Sequence, residues 1–114
     1  MSISIELREP ALGYSLLAVS GEVDMGSASQ MREKLTPTLE AGPDAVIIDL
    51  SLVTYMDSSG IATLVEALQS SMKREIVFRL AALNPAVLDV FRLARLDTVF
   101  SVYETTQAAL EDPL

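Results

Sequence analysis

Cysteine and histidine are both missing from the 114 residues. Their absence removes disulfides, thiol chemistry, histidine general bases and the usual zinc sites from the roles open to the chain. Carboxylates alone can hold magnesium or calcium, but the acidic residues are scattered and no calcium-loop spacing occurs, so no bound metal is expected. Long apolar runs are missing too, because no window approaches the roughly 18 apolar residues of a membrane span. The opening Met1-Ser2-Ile3-Ser4-Ile5-Glu6 alternates apolar with polar residues and has neither the basic leader nor the apolar centre of a signal peptide. A cytoplasmic protein without membrane insertion is the expectation. Positive charge is scarce: 8 basic against 16 acidic residues give a net charge of -8. That excess repels nucleic acid and anionic membranes, and it favours a basic protein partner. What the chain does have is apolar mass. Half of its residues are hydrophobic, enough to build one core, so residues 1–114 are expected to form a single domain.

The pattern along the chain alternates between two periods. Ile3, Ile5 and Leu7 alternate with polar neighbours as in a half-buried strand; Pro10 and Gly13 supply a turn, and Tyr14 to Ser20 reads as a second strand. Gly21-Glu22-Val23-Asp24 reads as a loop, after which Ala28, Met31, Leu35 and Leu39 recur at helical spacing up to Gly42-Pro43. Pro37 falls inside that helix and predicts a kink or an early end unless its missing bond is accommodated on the solvent side. Ala45 to Leu50 is a nearly continuous apolar run, as in a central strand covered on both faces. A helix follows near Ser59, with Ile61, Leu64, Val65, Leu68 and Met72 as its apolar stripe. Ile76 to Leu80 is the next strand, Asn84-Pro85 opens a helix with a cap followed by proline, and a strand near Val99 to Val102 precedes a last helix after Thr105. The order β-β-α-β-α-β-α-β-α implies an α/β fold with a mixed sheet, parallel over much of its width and packed with about four helices.

Asp57-Ser58-Ser59-Gly60 concentrates polarity where a strand passes into a helix. One helix cap needs one such residue, so at least one of these side chains is left without a structural task. A helix N-terminus favours negative charge and stabilises a phosphate placed on a hydroxyl there, which makes Ser58 a candidate switch. Ser59 is expected to cap the helix, and Gly60 to give a partner close access to the backbone. Asp57 orients the Ser58 hydroxyl or meets a basic group on a partner, and a capping role for it is compatible with either. In a parallel sheet the strand-to-helix loops gather at one end, so Asp24, Asp57, Ser58 and Asn84 are expected near one another. No nucleophile–base pair, dinucleotide fingerprint or phosphate loop occurs, so neither catalysis nor a cofactor is expected.

Gly21-Glu22-Val23-Asp24, Asp49-Leu50-Ser51 with Val53, Met56-Asp57-Ser58-Ser59-Gly60-Ile61 and Asn84-Pro85-Ala86-Val87 together resemble the anti-sigma factor antagonists of the STAS domain superfamily, over nearly the whole chain. The resemblance implies a switch: the unphosphorylated protein binds an anti-sigma factor, often a serine kinase of the histidine-kinase-like ATPase fold, and frees the sigma factor. It also implies phosphorylation on Ser58, reversal by a serine phosphatase, and a partner surface of Glu22, Asp24, Asp57, Ser58, Ser59, Gly60, Ile61 and Asn84. An alternative within the same resemblance is the accessory subunit of a lipid transporter, or a scaffold component of a signalling assembly. Two places depart from the usual pattern, where glycine is common: Lys73-Arg74-Glu75 before the fourth strand, and Arg95-Leu96.

Overall fold

The computed structural model describes residues 3–114. Five strands form one sheet: β1 (Ser4–Ala11), β2 (Tyr14–Val23), β3 (Ala45–Met56), β4 (Val77–Ala81) and β5 (Ser101–Tyr103). They lie in chain order β1-β2-β3-β4-β5. The β1/β2 pair is antiparallel, and the other three pairings are parallel. The helices are α1 (Ala28–Glu40), α2 (Ser58–Lys73), α3 (Pro85–Leu93) and α4 (Thr106–Glu111), with a 3-10 turn at Leu96–Thr98 before β5. This is the mixed α/β architecture the alternation implies.

Alternation along the strands sorts their side chains into two layers. Leu17, Val46, Ile48, Phe78 and Leu80 face α1, α2 and α3 in the main core, which takes Met31, Leu35, Leu64, Ala67, Val87 and Phe91 from those helices. Leu16, Ile47 and Ala81 point the other way and meet Ala109 of α4. Three helices thus cover one face, and one short helix covers part of the other. Burying such aliphatic and aromatic side chains contributes about 1.5–3 kcal/mol each. The main core, not helix propensity, therefore holds the fold together.

Several elements differ from the reading of the sequence. The central strand does not stop at Leu50 but continues to Met56, because two bulges interrupt its alternation. Ala18 pairs with Asp49 while Ser20 pairs with Leu52, and Gly21 pairs with Val53 while Glu22 pairs with Tyr55. Each bulge adds one residue to β3, so Leu50, Val53 and Met56 all reach the core at a spacing of three. Gly21 to Val23 belong to β2 rather than to a loop. Pro37 neither ends nor caps α1. Its ring sits on the exposed side, as does Glu33, whose carbonyl loses the residue-37 donor and can meet water instead. Met72 is 69% exposed and lies outside the buried stripe of α2, and Leu7 is 53% exposed on the edge strand.

Glu75 and Arg95 both adopt left-handed backbone conformations, each with φ of 58°. These are the two places where the sequence departs from a glycine pattern. A Cβ in that region costs about 1–2 kcal/mol, partly offset because glycine loses more freedom on folding. Arg95→Gly and Glu75→Gly should each raise the unfolding free energy, by up to about 1 kcal/mol. Urea titration of each variant beside the parent checks this, and a lowered midpoint would show that the charged side chains compensate for their backbone.

Candidate functional site

The parallel β2/β3 pairing runs to the last residue of both strands, where Val23 lies opposite Met56. The Asp57 N–H then donates to Val23 O at 3.1 Å. This contact brings the loop after β2 against the start of α2. Glu22, Asp24, Asp57 and Ser58 are thereby gathered at one end of the sheet, as the topology predicts.

Asp57, half-buried, is the N-cap of α2. Its Oδ1 accepts the Ser59 N–H at 2.9 Å, and its carbonyl accepts from Ile61 N at 3.1 Å. The expectation that Ser59 is the cap is therefore corrected: the helix begins one residue earlier, and Ser59 is its second residue. Ser58 is the first residue of α2 and is exposed. Its hydroxyl has no hydrogen-bond partner among the described residues, and the Asp57 carboxylate beside it turns its Oδ1 to the Ser59 N–H instead. The polar excess in the motif thus resolves into one cap and one free hydroxyl.

Gly60 does not provide clearance for a partner. It is buried, and a Cβ there would stand 2.7 Å from Met56 Cγ and 2.7 Å from Val23 Cγ1. The glycine lets α2 sit tightly on the ends of β2 and β3. Ile61 is half-buried against the same core.

Asp24 serves its own turn. Its Oδ1 accepts from Gly26 N at 2.9 Å, from Ser27 N at 3.1 Å and lies 3.1 Å from the Ser27 hydroxyl. Ser27, fully buried, receives the Asp24 N–H at 3.0 Å and donates to Glu22 O at 2.7 Å. The Ser27 hydroxyl, followed by the backbone N–H groups of Gly26 and Ser27, holds the Asp24 carboxyl below the ordinary aspartate range. Neutral replacement of Asp24 therefore touches the turn as well as any interface. Sequence reasoning missed Ser27, whose only signal was a serine one position before a helical stripe.

Asn84 caps α3 by accepting from Val87 N at 3.0 Å, and its amide donates to Val53 O. Because β4 pairs with β3 only as far as Asp49, this side chain meets β3 beyond the end of that ladder. Val53 precedes Met56 by three residues, so Asn84 stands roughly 10 Å back from the strand ends. It positions α3 rather than joining the Ser58 cluster.

The electrostatics of the cluster are one-sided. The ion pairs among the described residues are Arg8–Glu6, Arg32–Glu66 and Arg79–Asp112, and none includes Glu22, Asp24 or Asp57. Arg32 is the cation that α1 offers to α2. It is engaged by Glu66 at 3.0 Å and lies 3.5 Å from the Thr63 hydroxyl.

The mixed sheet, with three helices on its main face, has the architecture of a STAS domain. The STAS domain family model matches residues 4–109. The chain is 29% identical over 102 residues to the anti-sigma-B factor antagonist of Listeria monocytogenes, covering 90% of each chain. An anti-sigma factor antagonist from Mycobacterium paratuberculosis superposes with a TM-score of 0.87 at 30% identity, covering 95% of this chain and 91% of the other. The Bacillus protein SpoIIAA in its phosphorylated form shares the fold, with a TM-score of 0.73 at 18% identity over 95% of this chain and 97% of the other. The chain belongs to the STAS domain family, in its anti-sigma factor antagonist group.

Two measurements test this geometry. Gly60→Ala should destabilise the fold by about 1–3 kcal/mol through overpacking, read from its urea midpoint; a neutral effect would show that Val23 and Met56 yield without cost. For Asp24, the folded pKa is depressed, so its contribution is present above the unfolded value of about 3.9 and is lost as pH falls through the folded value. The stability gap between the parent and Asp24→Asn should therefore be larger at pH 7 than at pH 3. A gap that does not shrink would assign the loss to geometry rather than charge.

Proposed function

We propose that this chain is an anti-sigma factor antagonist that binds its anti-sigma factor through the Ser58 end of the sheet and is switched off by phosphorylation of Ser58. The observation that carries the reading is the exposed, unbonded Ser58 hydroxyl at the first position of α2, beside the Asp57 cap. Family membership and the named relatives support the first half of the reading. The kinase is the anti-sigma factor itself, of the histidine-kinase-like ATPase fold, and a serine phosphatase restores the binding form. The role is binding, not catalysis.

The physics of the switch lies in the difference between free and docked states. A phosphate brings about -1.5 to -2 charges and three acceptor oxygens. In water, a second negative charge 4 Å from Asp57 costs about 1 kcal/mol per unit charge, and the helix N-terminus offsets part of that. Against a partner, with an effective dielectric near 20, the same repulsion is about 4 kcal/mol, with desolvation of the phosphate in addition. None of the ion pairs among the described residues includes Glu22, Asp24 or Asp57, so the cluster offers the phosphate no cation from those pairs. The modified side chain remains a surface charge, and the free fold tolerates what the complex does not.

Incubation with the purified kinase and ATP should place one phosphate on Ser58, located by mass spectrometry. Calorimetric titration should then show at least a 100-fold loss of affinity, equivalent to about 2.7 kcal/mol. Ser58→Ala should bind without being modified. Ser58→Glu should imitate the phosphate only in part, because a carboxylate carries less charge and fewer acceptors. Phosphate on Ser59 would move the switch to the neighbouring residue; unchanged affinity after Ser58 phosphorylation would end the mechanism.

A further inference from the structure

The sheet order leaves β1 and β5 at the edges. β5 has three residues and β1 has eight, so β1 is the edge with room for a further strand. Its contacts with β2 fix the direction of its main-chain groups. The Ser20 hydroxyl donates to Ser4 O at 3.5 Å, which places that carbonyl on the β2 side. Directions alternate along an antiparallel ladder, so Glu6 and Arg8 bond toward β2 as Ser4 does, and Ile5 and Leu7 turn their N–H and C=O groups outward. The side chains alternate as well. Ile5 and Leu7 lie on the face of the main core, opposite Val19 and Leu17, yet Leu7 is 53% exposed. Glu6 and Arg8 lie on the other face and are both exposed.

Those two charged side chains pair within the strand. Arg8 Nε donates to Glu6 Oε1 at 3.1 Å and Nη2 donates to Oε2 at 2.9 Å, whereas Nη1 makes no hydrogen bond among the described residues. A guanidinium offers more donors than one carboxylate can take, so Arg8 can serve a second carboxylate without giving up the first. An acid and a base two residues apart on a strand edge are also complementary to themselves. When two such strands pair antiparallel about a two-fold axis through the residue between them, each acid stands opposite the other copy's base. Here that residue is Leu7. Outward groups must meet outward groups, so neighbouring registers move the axis by one residue. An axis on Glu6 sets Glu6 against Glu6, and an axis on Arg8 sets Arg8 against Arg8, both unfavourable. Within Ser4–Ala11 only the Leu7 register opposes unlike charges.

We infer that β1 is a dimer interface: a second copy of this chain adds antiparallel to it, with Leu7 on the two-fold axis and Glu6 of each copy opposite Arg8 of the other. The two Leu7 residues exchange main-chain hydrogen bonds and cover each other's exposed side chains, while the four charges close a ring on the opposite face. The register irregularity between Arg8 and Ala11, with Pro10 inside it, ends the regular edge. The pairing is therefore short, and the dimer is weak and concentration-dependent. The two-fold reverses the strand direction, so the two Ser58 ends point opposite ways and both stay open.

Sedimentation of the full chain at rising concentration, up to about 1 mM so that contacts of the weakest class are populated, should show a monomer–dimer equilibrium. Glu6→Arg and Arg8→Glu each set like charges against one another across the axis, and each should weaken the dimer about tenfold or more. Both side chains are exposed, so melting temperatures should stay near that of the parent. Mixed in equal amounts, the two variants become complementary, two bases of one strand facing two acids of the other, and the mixture should dimerise at least as well as the parent. The double variant Glu6→Arg/Arg8→Glu restores the unlike pairs on one chain and should also dimerise as the parent does. A parent that stays monomeric throughout overturns the inference. So does a dimer that survives both single variants, or one that Ser58→Glu abolishes, since either assigns the contact to another surface. Loss of the dimer in the single variants without recovery in the mixture overturns the charge register and the inference with it. If the parent is monomeric and Arg8→Glu instead weakens binding of the purified anti-sigma factor, the edge receives that protein and not a second copy.

Discussion

The position of Ser58 depends on the full-length parallel pairing of β2 with β3. Ten residues of β2 run beside twelve of β3, and the difference is taken up by the two bulges. Without them a strict alternation would turn Val53 and Met56 toward opposite faces. With them both enter the main core, and the chain leaves β3 with Asp57 hydrogen-bonded to Val23. Asp49 helps to fix the first bulge, since its Oδ1 accepts from Ser51 N at 2.9 Å. The carboxylate in the Asp49-Leu50-Ser51 stretch thus acts at a distance, by setting the face from which α2 begins.

At the end of that pairing the same carboxylates serve the fold and the surface. Asp57 and Asp24 each commit one oxygen, Oδ1, to backbone N–H groups of a following turn. Their Oδ2 atoms make no hydrogen bond among the described residues, and none of the ion pairs among those residues includes them. A capping carboxylate contributes about 1 kcal/mol to stability and still has lone pairs to offer a partner. Ser58 differs, because removing its hydroxyl leaves no internal donor or acceptor unsatisfied.

Much of this was legible in the sequence, and the failures share a cause. The buried stripes of α1 and α2, the Asn84-Pro85 helix start and the order of elements follow from periodicity and capping. The end of β3 did not, because a bulged strand loses its period of two. Ser51-Leu52-Val53-Thr54-Tyr55-Met56 shows a spacing of three that suits neither strand nor helix cleanly. Gly21-Glu22-Val23 was hidden by glycine and charge, which resemble loop chemistry although Val23 is fully buried. The role of Gly60 was reversed for a different reason: a glycine needed for clearance looks the same in sequence whether the neighbour is a partner or its own Val23. Only the packing distinguishes them.

Arg79 shows how charge differs between a structural and a binding role in this molecule. It sits in β4 on the face opposite the main core and is 4% exposed. Its guanidinium donates to the carbonyls of Ala109, Asp112 and Pro113 at 2.7–2.8 Å, lies 3.7 Å from the Asp112 carboxylate, and stacks 5.2 Å from the centre of the Tyr103 ring. Burying a cation costs several kcal/mol, and charge-assisted hydrogen bonds of about 1.5–3 kcal/mol each offset that cost. The net gain is therefore small, but the placement it enforces is specific. A six-residue helix such as α4 is too short to persist alone, and the arginine fixes where its C-terminal carbonyls lie. Every strong donor of Arg79 that is committed finds an acceptor within the chain, whereas the Ser58 end keeps carboxylate oxygens and a hydroxyl without internal partners. Among the described residues, the fold satisfies the polar groups that hold α4 on the sheet and leaves several open at the Ser58 end.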